Sequence, residues 1–219
     1  MKNLVARIGF WSATIAFVAA SGYCVATLLQ ILGLVTYPWD AILIFGFSLL
    51  IATPFMLALL ALHHITPNQK RFWSNAALLF AVMYNTFVTL NYVVQLTAVI
   101  PYGNSNLAQT PHSLFWTLDG LGYIFLGLAT LSASPVFGKQ GLQKWVKWFF
   151  LANGLITPLI ALVYFYPTSS SGWNLGTAGL SPPFSTASSP LMLLGSPWII
   201  TAPGSMLLLA LFLGRRSGL

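Results

Sequence analysis

Long apolar runs alternate with short polar breaks along the whole chain. Each run is long enough to cross a bilayer, since a membrane-spanning helix needs about 20 mostly apolar residues. The breaks contain the proline, glycine and polar residues that typically end helices and form turns. The pattern predicts six spans, over about residues 9–35, 39–63, 72–99, 113–134, 143–166 and 190–213.

Two segments need separate interpretation. The first run resembles a secretory signal peptide at its start, but its apolar stretch continues through Val35, so we expect an uncleaved first helix. Residues 167–190 are rich in Gly, Ser, Thr and Pro and contain no charge. We expect an outer loop there, either a plain connector or a lid over a site.

Composition agrees with this pattern. The chain has 219 residues, of which 57% are hydrophobic and 5% charged, and its mean hydropathy is +0.81. Soluble domains average about 25% charged residues. We therefore expect one integral membrane domain over residues 1–219, an all-α six-helix bundle with no soluble catalytic domain. We expect it in the cell membrane, specifically a bacterial inner membrane.

The positive charges predict the orientation of the bundle. The net charge is +7, and the nine Lys and Arg residues fall in four clusters at alternate span ends: Lys2, Arg7, Lys70, Arg71, Lys139, Lys144, Lys147, Arg215 and Arg216. Cytoplasmic loops carry the excess of Lys and Arg, so with six spans both termini are cytoplasmic. Tryptophans near both sets of span ends suggest interfacial belts. Clusters at span ends, rather than one basic face, argue against a nucleic-acid partner.

Asp119 is the candidate functional residue. It lies inside the fourth predicted span and is one of two acidic residues in the chain, the other being Asp40. An ionisable side chain at membrane depth costs roughly 2.5–3.5 kcal/mol on insertion scales, so it suggests a functional site by default. Since the cations lie at span ends, the carboxyl would be neutral, hydrated, or matched by a ligand cation or metal ion. The structural alternative is a hydrogen bond to Asn91 or Tyr92.

The predicted orientation gathers polar residues in the outer half of the membrane. Asn91 and Gln95 share one helix face, and Asp119 lies on a stripe with two aromatic residues. We predict an outward-facing ligand pocket in which Asp119 binds a cation or proton and the other members orient the ligand or form walls: Asp40, Asn91, Gln95, Trp116, Tyr123 and Trp198. As structural alternatives, Asp40 would cap a helix, and Asn91 and Gln95 would link helices by hydrogen bonds.

Three prolines fall close to the middle of predicted spans. They are Pro54, Pro158 and Pro203. Interrupted helices at this depth are typical of transporter binding sites, although proline is also common in ordinary membrane helices. We interpret the three as candidates for mobile or interrupted segments.

The sequence indicates no cofactor and no metal site. His63 and His64 are at the inner end of span 2, whereas His112 is on the outer side, so the three cannot share a haem iron. Phosphate-binding, nucleophile and dinucleotide motifs are absent from the sequence.

Three functions remain open. The leading hypothesis is a membrane protein, transporter-like, that binds or transports a small molecule, cation or lipid at Asp119. The alternative is a non-catalytic accessory subunit of a larger membrane complex, with lipid and another membrane protein as partners. The third is an intramembrane hydrolase that uses Asp40 and Asp119 to activate water.

Overall fold

The computed structural model describes residues 2–110, 113–165 and 197–218, and within these ranges the chain is helical, without strands. Six long helices correspond to the six predicted spans: α1 (Lys2–Ile31), α2 (Trp39–Ile65), α3 (Arg71–Val94), α4 (Leu114–Ala133), α5 (Gly141–Phe165) and α6 (Trp198–Ser217). The predicted loop 167–190, the expected start of span 6 at residue 190, and His112 lie outside the described residues.

Several boundaries differ from the sequence prediction. Helix α1 begins at Lys2 rather than near residue 9, and α6 ends at Ser217 rather than near residue 213. Helix α1 ends at Ile31 rather than near residue 35, because Gly33 adopts a left-handed conformation with φ of 68°. The N–H of Leu34 then donates to the carbonyl oxygen of Leu29, which closes the helix end. Helix α3 continues beyond Val94 through a π-helical turn, Gln95–Val99, and a last α-helical turn, Ile100–Tyr102.

The six helices form a closed ring in chain order. Each helix packs against its neighbours in sequence, and α6 returns to pack against α1. Helices α1 and α6 run antiparallel, since Gly9 lies beside Leu213 while the thiol of Cys24 lies 3.7 Å from the carbonyl oxygen of Ile199. The start of α1 and the end of α6 therefore share one end of the ring. We call this the cationic end, because all nine Lys and Arg residues lie there.

The outside of the ring is apolar. Large hydrophobic side chains are exposed on every long helix, among them Ile8, Val18, Leu50, Leu79, Leu114, Leu155 and Ile200. A soluble monomer rarely exposes an apolar surface of this extent. Within the described part of the chain, α1, α2, α3, α4 and α6 each include a stretch long and apolar enough to cross a membrane. The fold is that of a multi-pass helical membrane protein.

Small residues let the helices approach closely where they cross. A Cβ atom on Gly127 of α4 would overlap Oγ1 of Thr157 on α5, and a Cβ on Gly154 would lie 2.8 Å from the Cβ of Leu131. Glycine at such crossings brings two backbones together, which is how membrane helices gain packing energy. Asn153 of α5 adds a polar link, because its side chain donates to Oγ1 of Thr130 on α4 at 3.2 Å.

The tryptophans do not all form interfacial belts. Four are exposed at the cationic end, namely Trp11, Trp73, Trp145 and Trp148, and Trp39 is exposed at the opposite end. Trp116 and Trp198 also lie near the opposite end, but both are only 6% exposed. These two side chains point into the ring and belong to its interior.

The helices are not interrupted at the three prolines. Pro54 lies inside α2, Pro158 inside α5 and Pro203 inside α6, and the helical backbone continues through each position. Neighbouring helices can satisfy the carbonyl group that a proline leaves without its donor. The irregular backbone lies instead in the π-helical turn at Gln95–Val99, which the positions of the prolines did not predict.

Candidate functional site

A small cavity lies inside the ring, in the half away from the cationic end. Its walls come from five of the six helices and comprise Tyr23, Ser48, Ile51, Tyr84, Val88, Tyr92, Asp119, Tyr123, Leu126 and Trp198. Its volume is about 20 Å³. A cavity needs roughly 10–15 Å³ to hold one water molecule, whereas pockets for drug-sized ligands measure about 300–1,000 Å³. The space therefore suits an occupant of about the size of one water molecule.

Asp119 is the acidic residue in the cavity wall. It is the sixth residue of α4, about 7.5 Å along the helix axis from Leu114, and it is 3% exposed. The hydroxyl of Tyr92 donates to Oδ1 at 2.5 Å, and Nδ2 of Asn91 donates to the same oxygen at 3.5 Å. Nε2 of Gln109 donates to Oδ2 at 2.9 Å. Asn91 and Tyr92 are the partners that the structural alternative predicts for Asp119.

The three described groups that bond to Asp119 are all placed to donate to it. An ionised Asp accepts hydrogen bonds and donates none, so these groups can hold a carboxylate in place.

Gln109 belongs to the segment that connects α3 and α4. This segment folds back onto the π-helical turn, where Nε2 of Gln95 donates to the carbonyl oxygen of Leu107 at 2.9 Å. Oε1 of Gln95 accepts from the backbone N–H of Gln109 at 3.1 Å, and Oε1 of Gln109 accepts from Nδ2 of Asn91 at 3.0 Å. Gln95 and Asn91 are buried, at 1% and 0% exposed, and do not line the cavity. They hold the connecting segment against Asp119.

Aromatic side chains form another part of the cavity wall. The indole ring of Trp198, at the start of α6, packs edge-to-face on Tyr23 at 5.4 Å and on Tyr123 at 5.7 Å between centroids. The hydroxyl oxygens of the two tyrosines are 3.3 Å apart. Nε1 of Trp198 is buried without a hydrogen-bond partner among the described residues. Trp198 and Tyr123 thus line the cavity, while Trp116 is buried outside the cavity lining.

Asp40 lies in a different environment. It is the second residue of α2, and Pro38 rather than Asp40 occupies the N-cap position. Its Oδ2 accepts from Nε2 of Gln30 at 2.8 Å, and its Oδ1 accepts from the backbone N–H of Ala41 at 2.8 Å. The side chain is 2% exposed and is not part of the cavity wall. Asp40 joins α1 to α2 and interacts favourably with the α2 dipole.

No protein-family model, curated protein or solved structure matches this chain.

The oxygen atoms around the cavity determine what it can bind. The wall contains one carboxylate and the hydroxyl-bearing residues Ser48, Tyr23, Tyr84, Tyr92 and Tyr123. Hard cations prefer carboxylate and other oxygen ligands, and a carboxylate can also take up a proton. In the described part of the chain, no group of three or more His, Cys, Asp or Glu side chains could hold a metal ion. With one carboxylate in the wall, the charge suits a monovalent cation.

Sequence reasoning missed Gln109, Tyr84 and Tyr23. Gln109 lies in a polar connecting segment, and nothing in its local pattern distinguishes it from other loop residues. Tyr84 and Tyr23 are two of many aromatic residues in the apolar helices, and the sequence does not distinguish them from the others. Only the ring arrangement brings α1 and α3 to the same cavity.

Proposed function

We propose that the ring crosses the membrane six times, with α5 as the remaining span and both termini in the cytoplasm. Helix α5 has 25 residues, which at 1.5 Å per residue gives about 37 Å, enough for a hydrocarbon core of about 30 Å. The clustering of all Lys and Arg residues at the cationic end supports this orientation, because cytoplasmic segments carry such an excess. We propose the cell membrane of a bacterium as the location.

We further propose that the protein binds a monovalent cation, a proton or an alkali-metal ion, at Asp119 and allows it to cross the membrane. The observation that carries this proposal is the water-sized cavity lined by Asp119 and by hydroxyl-bearing side chains. Its volume argues against a lipid or a larger small molecule as the occupant in this conformation. Asp119 lies about one and a half helical turns from the start of α4, at the end opposite the cationic end, which would be the outer side.

A flux measurement tests the proposal. Purified protein in liposomes should carry protons, followed with a pH-sensitive dye, or sodium or potassium, followed with an ion-sensitive dye. Asp119→Asn keeps the shape of the side chain and removes its charge. We expect the variant to lose flux by at least tenfold, since an uncharged amide cannot balance a cation or take up the proton.

Asp40→Asn is the matched control. It makes the same chemical change at a buried aspartate outside the cavity, so flux per folded protein should remain near that of the wild type. The proposal is wrong if Asp119→Asn transports as the wild type does, or if neither protons nor alkali ions move through the wild-type protein.

An accessory subunit of a larger membrane complex is the second candidate. Its motivation is the broad apolar outer surface of the ring, on which another membrane protein could dock. Co-purification from native membranes in mild detergent tests this candidate, because an accessory subunit should bring its complex with it. Asp40 does not share the cavity with Asp119, so the two carboxylates are not placed to activate one water molecule between them.

A further inference from the structure

The outer surface of the ring carries one unusual polar side chain at mid-depth. Asn85 is the midpoint of the helical stretch Asn68–Tyr102, and its neighbour Thr53 is one residue from the midpoint of Trp39–Ile65. Oγ1 of Thr53, an exposed residue, donates to Oδ1 of Asn85, which is partly exposed, at 2.9 Å. If the ring spans a bilayer, this pair faces the middle of the hydrocarbon core.

The amide group of Asn85 differs from the other polar groups on the same surface. The exposed hydroxyls of Thr86 and Thr97 donate to carbonyl oxygens four residues earlier in their own helix. These hydroxyls therefore need no hydrogen-bond partner from outside their own helix. The Nδ2 atom of Asn85 has two N–H donors, and neither finds an acceptor among the described residues. An unsatisfied amide facing lipid is costly, because hydrocarbon offers it no acceptor.

We propose that the surface around Asn85 is the contact between two copies of this chain in the membrane. A side-chain amide is self-complementary: its carbonyl oxygen can accept a second hydrogen bond, and its Nδ2 can donate. Across a two-fold axis, each Asn85 Nδ2–H meets the Oδ1 of the other copy, so one residue yields two hydrogen bonds. Such asparagine bonds are a recognised source of association between membrane helices.

The residues next to this pair favour a second copy over another kind of partner. Leu50 and Val82, one turn before Thr53 and Asn85, are apolar and exposed at 54% and 43%. No charged residue lies near this depth on α2 or α3, so the surface carries nothing that would select a partner of opposite charge. An uncharged surface with one self-complementary amide fits best against itself.

Dimerisation in liposomes provides the first test. Wild-type protein labelled with donor or acceptor dye at its C-terminus should show energy transfer that falls as the protein is diluted in lipid. A single interhelical bond of this kind changes association by roughly 3- to 30-fold, so losing two should weaken the dimer about tenfold or more in Asn85→Leu. Thr97→Val is the control on the same helix and should leave the dimer unchanged, since the Thr97 hydroxyl bonds within its own helix.

Cross-linking provides a second test that does not depend on the folding of Asn85→Leu. Cys24 is the only cysteine, so Cys24→Ser gives a background without thiols. In that background Asn85→Cys should form a disulfide-linked dimer under mild oxidation, whereas Leu155→Cys, exposed on α5, should not. The proposal is overturned if the wild type is monomeric at all dilutions, if Asn85→Cys links only to a different protein, or if both cysteines cross-link equally.

Discussion

Removing one hydroxyl should show how strongly the polar network holds the opposite end of the ring together. Tyr92→Phe deletes the donor to Oδ1 of Asp119 and keeps the ring, which stacks on Phe45 with centroids 5.4 Å apart. The change therefore isolates the hydrogen bond from the packing. Tyr92 is 5% exposed, so water cannot easily replace the lost donor.

The expected cost follows from the type of bond. A hydrogen bond to a charged group contributes about 1.5–3 kcal/mol to the free energy of unfolding. For a chain of 150–250 residues, each kcal/mol lowers the midpoint of thermal unfolding by about 2–4 °C, which gives about 3–12 °C for this variant. The measurement is far-UV circular dichroism in detergent during heating, at one fixed scan rate, since membrane proteins often unfold irreversibly.

Tyr84→Phe is the matched control for this prediction. Tyr84 lines the same cavity, is 6% exposed and packs edge-to-face on Phe55 at 6.0 Å, but no described residue forms a hydrogen bond with its hydroxyl. We expect a change in the unfolding midpoint of less than about 2 °C, because a lost hydroxyl without a partner costs little. Equal shifts in the two variants, or no shift in Tyr92→Phe, would refute the assignment of a strong bond to Asp119.

Two further predictions concern packing and topology. Gly127→Leu should prevent stable folding, since its side chain would collide with Thr157 at the α4–α5 crossing, while Gly46→Leu should be tolerated because nothing lies within 4 Å of its Cβ position. Yield of monodisperse protein compares the two, and equal yields would contradict the close crossing. With Cys24 replaced by serine, a cysteine at Ser105 should react with an impermeant thiol reagent from outside intact cells, and one at Gln140 only after permeabilisation. The reverse pattern would invert the proposed orientation.

The sequence predicts the helices well because their physical cause is local. Apolar runs bounded by turn residues mark all six long helices, and most of the described bounds agree within a few residues, although α1 begins at Lys2 rather than near residue 9. The end of α1 is the instructive exception. Residues 32–35 are apolar and look like helix, yet the left-handed conformation of Gly33 ends the helix first. Hydropathy does not register a change of backbone conformation that one glycine permits.

The candidate site is predicted only in part, because it depends on contacts between residues that are far apart in the sequence. Spacing along α3 and α4 places Asn91, Gln95 and Asp119 at one depth of the predicted bundle, and the structure joins them in one hydrogen-bonded network. The spacing of residues cannot show that Gln109 folds back from a connecting segment to link these three side chains. It also cannot show that Asp40, at nearly the same end of the ring, pairs with Gln30 instead.

The hydrogen bonds to Asp119 do not decide between a structural and a binding role, because both roles require the carboxylate to be held in place. The two roles differ in what happens when the bonds weaken but the charge remains. If Asp119 only joins α3 to α4, Tyr92→Phe and Asp119→Asn should both lower stability, and flux per folded protein should be unchanged in both. If Asp119 binds the cation, Tyr92→Phe should lower stability and keep much of the flux, whereas Asp119→Asn should lose the flux even in the folded fraction. The comparison of these two variants therefore separates the roles, which neither variant does alone.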